Sequence, residues 1–204
     1  GAGPVGVVEK LVPFLPRPTI EYDQAADSYY LNDASDDSIG KLLAFHGNIG
    51  VVLKAYAYLK INGSAGLKKV SETAILNANY IKARLSKYYD IPYAQYCQHE
   101  FVISAKNFKK EYGVSALDIA KKMIDYGYHP PTIYFPLIVN ECLMIEPTET
   151  ETKETLDQFC DVMIKIAGEI KNDPESFHES PKNTPVRRLD EVKAVKEPNL
   201  QYFS

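Results

Sequence analysis

The chain has 204 residues, a net charge of −4 and a hydrophobic fraction of 45%. This length allows one full core, or a small domain with an extension. The acidic balance argues against a general nucleic-acid-binding surface. No apolar run approaches the roughly 18 residues of a transmembrane helix. We therefore expect neither a nucleic acid nor a membrane as a partner.

The first 38 residues lack the pattern of a closed unit. Valines at positions 5, 7 and 8 are typical of a short strand, and prolines at 13, 16 and 18 indicate an extended path. Ile20–Tyr22 and Tyr29–Leu31 flank a polar turn and predict a β-hairpin. Apolar residues then recur at steps of three and four. This period predicts a helix from near Ile39 to the stop signal Asn62-Gly63, and a second helix from Ser64 onward.

The rest of the chain mixes strands and helices. Strands are predicted at Glu100–Ala105, Thr132–Phe135 and Cys142–Ile145. Ser115 with Asp118, and Thr148 with Glu151, resemble capping boxes that open two helices. Residues 174–204 are polar and proline-containing, which is typical of a partly ordered arm. The order of elements predicts an α+β fold in which helices cover a small sheet.

The three cysteines, Cys97, Cys142 and Cys160, are few, odd in number and widely spaced. They do not form a disulfide framework, which favours a reducing, cytoplasmic location. Cys97 and His99 form one Cys-x-His pair, but no second pair stands at the spacing of a zinc site. We expect no metal in this chain.

Several stretches of the sequence carry a resemblance to a known family. They are Ala44–Asn48 (AFHGN), Leu76–Tyr80 (LNANY), His99–Val102 (HEFV), His129–Pro136, Met144–Glu151 and Thr184–Glu191 (TPVRRLDE). In this order they resemble the C-terminal part of subunit 2 of glycine dehydrogenase (decarboxylating), the pyridoxal-phosphate P-protein of the glycine cleavage system. The resemblance implies the small C-terminal domain of a fold-type-I pyridoxal-phosphate enzyme. That domain is expected at residues 39–173, between the end of a large domain and its crossover segment (1–38) and the polar arm (174–204).

The resemblance also implies an activity for the full-length protein. Such an enzyme decarboxylates glycine through pyridoxal phosphate and passes the aminomethyl group to the lipoyl arm of the H-protein, with subunit 1 as a further partner. In that family the cofactor lysine lies shortly upstream of a glycine-rich run, and Gly1–Gly6 resembles the tail of such a run. The lysine is then expected just before residue 1. We expect this chain alone to be inactive and not to hold pyridoxal phosphate covalently.

Seven residues are candidates for the active site or for the access path of the lipoyl arm. They are His46, Asn48, His99, Glu100, His129, Thr132 and Glu146. Histidine titrates near neutrality and suits acid–base chemistry, and a carboxylate beside it can share that work. His129 lies in a turn that prolines make rigid, and Glu146 lies outside the predicted helix cap. Each histidine also has a structural interpretation, in which neighbouring groups simply satisfy its hydrogen bonds.

Two further expectations concern contacts with other chains. Arg187 and Arg188 are candidates for contact with an acidic surface of a neighbouring subunit. The apolar residues among positions 5–14 would be exposed without a large domain, so the isolated chain is expected to self-associate.

Two alternatives stay open at this point. One is a free-standing, non-catalytic assembly module of the same fold, which a reading frame extending upstream would exclude. The other is the small domain of a different fold-type-I enzyme, such as an aminotransferase or a desulfurase. A glycine–bicarbonate exchange assay on the full-length protein would separate these enzymes.

Overall fold

The computed structural model describes residues 2–42 and 47–202. Its backbone divides into two compact units, Gly1–Ala65 and Gly66–Ser204. The boundary lies within helix α1 (Ile49–Leu85), which is interrupted at Gly63, where φ is 59° and ψ is −177°. The predicted break at Asn62-Gly63 is therefore confirmed. The predicted division at residues 38 and 173 rests on the resemblance and stays a prediction.

Helix α1 begins later than its apolar periodicity suggests. Ile39–Leu42 are not helical, and residues 43–46 lie outside the described part of the chain. Gly40 and Gly47 take φ values of 86° and 103°. A right-handed helix requires negative φ, so these two glycines stop it from starting at Ile39. The helix instead begins at Ile49, directly after Asn48.

The first unit contains a hairpin and a short helical turn. Strand β1 (Thr19–Asp23) pairs antiparallel with β2 (Ser28–Asn32), with Glu21 opposite Tyr30, so the predicted hairpin is confirmed. The Asp23 carboxylate accepts the backbone N–H groups of Ala25 and Ala26 and shapes the turn. A 3₁₀ helix covers Glu9–Phe14. The strand predicted near Val5 is wrong, because residues 2–8 are irregular and no described strand pairs with them.

The second unit has the predicted α+β architecture. Its antiparallel sheet consists of β3 (Phe101–Ser104), β4 (Thr132–Ile133) and β5 (Cys142–Ile145), and β5 lies in the centre. The helices are α2 (Lys106–Tyr112), α3 (Ala116–Asp125), α4 (Lys153–Asn172) and α5 (Glu191–Lys196), together with the second half of α1. The core packs one face of the sheet against α1, α3 and α4, and includes Leu85, Ile103, Ile119, Leu143 and Met163.

Two local predictions in this unit are corrected. Strand β4 stops at Ile133 rather than Phe135, because Tyr134 takes a positive φ of 60° that no extended strand contains. The Thr148–Glu151 capping box is wrong. Helix α4 starts at Lys153, and the hydroxyl of Thr152 accepts the N–H of Thr155 at 3.2 Å.

The capping prediction at Ser115 is confirmed. The Ser115 hydroxyl accepts the N–H of Asp118, and the Asp118 carboxylate accepts the N–H of Ser115, as a capping box requires. At the second predicted capping box, the Thr148 hydroxyl instead bonds to the hydroxyl of Thr150 at 2.7 Å. Helix α4 begins about one turn beyond Thr148, at Lys153. The same sequence signature therefore forms a cap at one site and a turn at the other.

Candidate functional site

The second unit contains a cleft of about 650 Å³. Apolar and polar residues share its lining, and the polar ones come from the turn before β4, from β4 itself, from the segment after β5 and from α4. The lining comprises Ile81, Gly127, Tyr128, His129, Pro130, Pro131, Thr132, Met144, Ile145, Glu146, Pro147, Glu151, Thr155, Leu156, Gln158 and Phe159. Three candidate residues, His129, Thr132 and Glu146, thus lie in one cleft.

The sheet explains why these distant residues meet. Strands β4 and β5 are neighbours, and Thr132 lies directly opposite Met144. The His129–Pro131 turn leads into β4, while Glu146 follows β5. Antiparallel pairing therefore places the turn beside the carboxylate. The prolines at 130, 131 and 147 limit the backbone on both sides.

A second histidine reaches Glu146 from the opposite edge of the sheet. Phe101 on β3 lies opposite Ile145 on β5. When this register is extended by one or two residues beyond the strands, His99 comes next to Glu146. The distance from His99 Nε2 to Glu146 Oε1 is 3.7 Å. This separation exceeds a hydrogen bond but allows direct electrostatic attraction when the imidazole is protonated. Both side chains are more than half exposed, so water can reach the pair.

Sequence reasoning missed one acidic group of the cleft. The sequence predicts Glu151 as the second half of a helix cap. The helix starts beyond this residue, however, and Glu151 lines the cleft. Glu146 and Glu151 thus contribute two carboxylates, and none of the lining residues is a lysine or an arginine. Glu151 precedes the N-cap Thr152, and no residue close to it in sequence indicates that it lines the cleft.

The remaining candidates lie elsewhere. His46 is outside the described residues, and Asn48 belongs to the first unit, where it is exposed. Glu100 is half-buried beside β3 and does not line the cleft. An assignment of these residues to an active site stays a prediction.

Arg188 has partners within its own unit. Its Nη2 lies 2.7 Å from Asp118 Oδ1 and donates to the carbonyl of Phe177, while its Nε donates to the carbonyl of Ser180. Burial raises the pKa of Asp118, but hydrogen bonds from Ser115 and Arg188 outweigh it and hold the pKa below its usual value. These bonds account for Arg188 without another subunit. Contact of Arg187 and Arg188 with a neighbouring chain stays a prediction.

A second charged group fixes helix α1 to α4. Arg84 lies 2.5 Å from Asp157 and 2.7 Å from Asp161, and the Tyr80 hydroxyl donates to Asp157. The Lys153 ammonium, the Tyr80 hydroxyl and Arg84 together lower the pKa of Asp157 to about 2. Asp157 therefore stays ionised at neutral pH and keeps the two helices that flank the cleft in contact.

The cleft does not fit pyridoxal phosphate as its main binding site. The cofactor carries a phosphate dianion, which needs cationic side chains or free backbone N–H groups. Here the charged lining residues are Glu146 and Glu151, and the lining contains no lysine for an aldimine. Two carboxylates would repel the phosphate. No step of the chemistry is therefore assigned to the cofactor within this cleft.

Two searches of the described residues concern metal ligands and membrane-spanning helices. Among residues 2–42 and 47–202, no three histidine, cysteine or acidic side chains converge as a metal site would require. In the same ranges, no helix has the length and apolar character needed to cross a membrane.

The three cysteines are free thiols, and burial raises the pKa of both Cys142 and Cys160 to about 11.

Comparison with known proteins gives a consistent set of relatives. The profile of the family described as "Glycine dehydrogenase, C-terminal domain" matches residues 70–188. A protein of Shouchella clausii (strain KSM-K16), named "Probable glycine dehydrogenase (decarboxylating) subunit 2", is 54% identical over 203 residues. A protein of Staphylococcus aureus (strain Newman) with the same name is 54% identical over 202 residues. Each alignment covers 99% of this chain, which spans only 40% and 41% of the two relatives.

Proposed function

Since this chain belongs to the family of glycine dehydrogenase C-terminal domains, we propose that it forms the C-terminal portion of a glycine cleavage P-protein, subunit 2. The full-length protein would decarboxylate glycine with pyridoxal phosphate. It would then pass the aminomethyl group to the lipoyl arm of the H-protein, with subunit 1 as its partner. A cytoplasmic location belongs to the same proposal, and the free thiols agree with it.

The cleft supports a specific part in this reaction. A lipoyl arm is a long, uncharged aliphatic chain that ends in a dithiolane ring. The apolar part of the lining, which includes Ile81, Leu156 and Phe159, suits such a chain, whereas the two carboxylates would repel the carboxylate of glycine. We assign the cleft to the access path of the lipoyl arm, and the binding of glycine and its cofactor to parts of the protein outside this chain.

The polar residues of the cleft would serve the transfer step. When the dithiolane opens, one sulfur leaves as a thiolate and must gain a proton. An imidazole is a side chain that can deliver such a proton. His129 in the cleft, and His99 beside Glu146, are the groups able to do so. The meeting of His129, Thr132 and Glu146 in one cleft that also has apolar lining residues is the observation that carries this assignment.

The test uses the full-length subunit assembled with subunit 1 and lipoylated H-protein. Glu146→Gln and His129→Asn should reduce glycine–bicarbonate exchange with H-protein as the acceptor by at least ~10-fold, since positioned acid–base groups contribute about 10²–10⁴-fold. Exchange supported by free lipoic acid isolates the chemistry from carrier docking. Full activity of both variants would remove the cleft from the reaction, and an absence of exchange in the unmodified protein would refute the proposed activity.

Self-association of the isolated chain is also proposed. The side chains of Val5, Val8, Leu11 and Phe14 are exposed in the first unit, and so are Ile49, Val52, Leu53, Tyr56 and Leu59 on α1. An apolar surface of this extent rarely stays bare on a soluble monomer. Subunit 1, the upstream part of subunit 2, or a second copy of this chain could cover it, and only the last is present when the chain is alone.

A further inference from the structure

Two asparagines on helix α1 bond to the loops that carry His99 and Glu146. The side-chain amide of Asn77 donates to the carbonyl of Thr148 at 2.9 Å. Asn79 donates to the carbonyl of Cys97 at 2.8 Å and accepts the N–H of Cys97 at 3.1 Å. Thr148 lies two positions after Glu146, and Cys97 lies two positions before His99. Each asparagine thus holds the backbone close to one member of the pair.

The geometry of a helix lets one short motif reach both loops. Residues two positions apart on an α-helix point about 200° apart around its axis. Asn77 therefore faces the turn between β5 and α4, while Asn79 faces the loop before β3. The loop before β3 is held at a second point as well, because the Lys82 ammonium donates to the carbonyl of Gln95. The helix itself is fixed to α4 through Arg84 and Asp157.

Packing alone does not account for asparagine at these positions. Asn77 is only 7% exposed, and a buried amide destabilises a fold unless its hydrogen bonds are satisfied. An apolar side chain would fill the same space without that requirement. What asparagine adds is a directional bond to an irregular segment, and Asn79 forms two such bonds to a single residue, which set both its position and its orientation.

We propose that Asn77 and Asn79 are positioning residues that hold Glu146 and His99 at their 3.7 Å separation beside the cleft. The proposal deepens the function proposed above and rests on it. Neither asparagine touches the lipoyl arm. Each acts through one partner: Asn77 through Glu146, and Asn79 through His99.

Double-mutant cycles in the full-length, assembled enzyme test this dependence. Asn79→Ala should lower kcat of the H-protein-dependent exchange about as much as His99→Ala does, and leave KM for glycine unchanged. In the His99→Ala background, Asn79→Ala should have no further effect. The corresponding pair is Asn77→Ala with Glu146→Gln. If the effects of the two members of a pair multiply, the asparagine acts independently and the proposal fails.

Hydrogen exchange measured by mass spectrometry on the same proteins provides a readout that does not depend on activity. Asn79→Ala should speed amide exchange at residues 95–99 and leave residues 146–151 unchanged, and Asn77→Ala should do the reverse. Asn62→Ala is the matched control, because within residues 2–42 and 47–202 the Asn62 amide bonds to the Tyr58 carbonyl of its own helix and to no loop. It should change neither exchange nor activity.

The outcomes distinguish the positioning role of Asn77 and Asn79 from the proposed function of the cleft. Local loosening together with coupled activity losses supports both. Loosening with additive losses, or no loosening at all, overturns the positioning role while the cleft keeps its function. If His99→Ala and Glu146→Gln both leave activity intact, the His99–Glu146 pair is not part of the reaction and the positioning role is refuted, while His129→Asn still tests the cleft. Asn79 is half-buried, so its variants decide the proposal even if Asn77→Ala does not fold.

Discussion

The Arg188 side chain should make a large contribution to the stability of the second unit. Its guanidinium joins Asp118 on α3 to the carbonyls of Phe177 and Ser180. Asp118 is almost fully buried, with a side-chain exposure of 6%, whereas the exposure of Arg188 is 32%. Replacing Arg188 with methionine retains most of the aliphatic stem and removes all three interactions.

The size of the expected stability loss depends on the hydrogen bonds that Asp118 retains in the Arg188→Met variant. Breaking a buried ion pair costs about 3–5 kcal/mol, and a hydrogen bond to a charged group contributes about 1.5–3 kcal/mol. Asp118 still accepts two bonds from Ser115 after the change, and Arg188 is partly solvated, so the loss belongs at the low end. We expect Arg188→Met to reduce the free energy of unfolding by about 3 kcal/mol. At roughly 3 °C per kcal/mol for a chain of this size, Tm should fall by about 9 °C.

Circular dichroism at 222 nm suits this measurement, since the chain contains no tryptophan for fluorescence. Arg187→Met is the matched control. Among the described residues Arg187 forms no hydrogen bond or ion pair, and it acts on Glu179 only through a longer-range charge interaction, so its change should stay within about 0.5 kcal/mol. A Tm loss for Arg188→Met no larger than that for Arg187→Met would refute the reasoning.

The pH dependence of stability supplies a second check. The folded-state pKa of Asp118 is lowered, so the stability it contributes is present above its ordinary pKa of about 3.9 and is lost as pH falls through the folded value. The difference in stability between wild type and Arg188→Met should therefore shrink below about pH 4. A difference that stays constant down to pH 2 would exclude Asp118 as the partner that matters.

Three further predictions concern the proposed function. Glu146→Gln and His129→Asn should leave Tm within a few degrees while exchange activity falls. Both residues lie outside the packed core, and substitutions at exposed positions typically cost under ~0.5 kcal/mol. A large Tm loss would show that their role is structural. The chain mixed with pyridoxal phosphate and reduced with borohydride should show no stoichiometric adduct by mass spectrometry, and a single fully labelled lysine would contradict this. In sedimentation velocity at micromolar concentration the chain should exceed the 22.9 kDa of a monomer, and serine at Val5, Val8 and Leu11 should weaken the association; a clean monomer would favour a self-sufficient module.

Local sequence signals determined several elements correctly. Strands β3 and β5 are runs of apolar residues flanked by polar or turn residues, and helix α4 follows an apolar stripe that ends at Asp173-Pro174. The hairpin of β1 and β2 and the break at Gly63 also follow from residues close in sequence. These features depend on period, turn chemistry and backbone freedom, which a short window contains. The order of motifs also indicated the family, which the comparisons confirmed.

The tertiary structure decided which distant residues meet. The capping signature at Thr148 and Glu151 is locally as good as the one at Ser115, yet only the latter forms a cap, because the Thr148 carbonyl and hydroxyl have other partners. Arg188 pairs with Asp118 on α3, a partner far from it in sequence. His129 and Glu146 became neighbours because β4 pairs with β5, and His99 joined them because β3 pairs with the opposite edge. Strand order and side-chain partners depend on packing between residues far apart in sequence, and no local pattern encodes them.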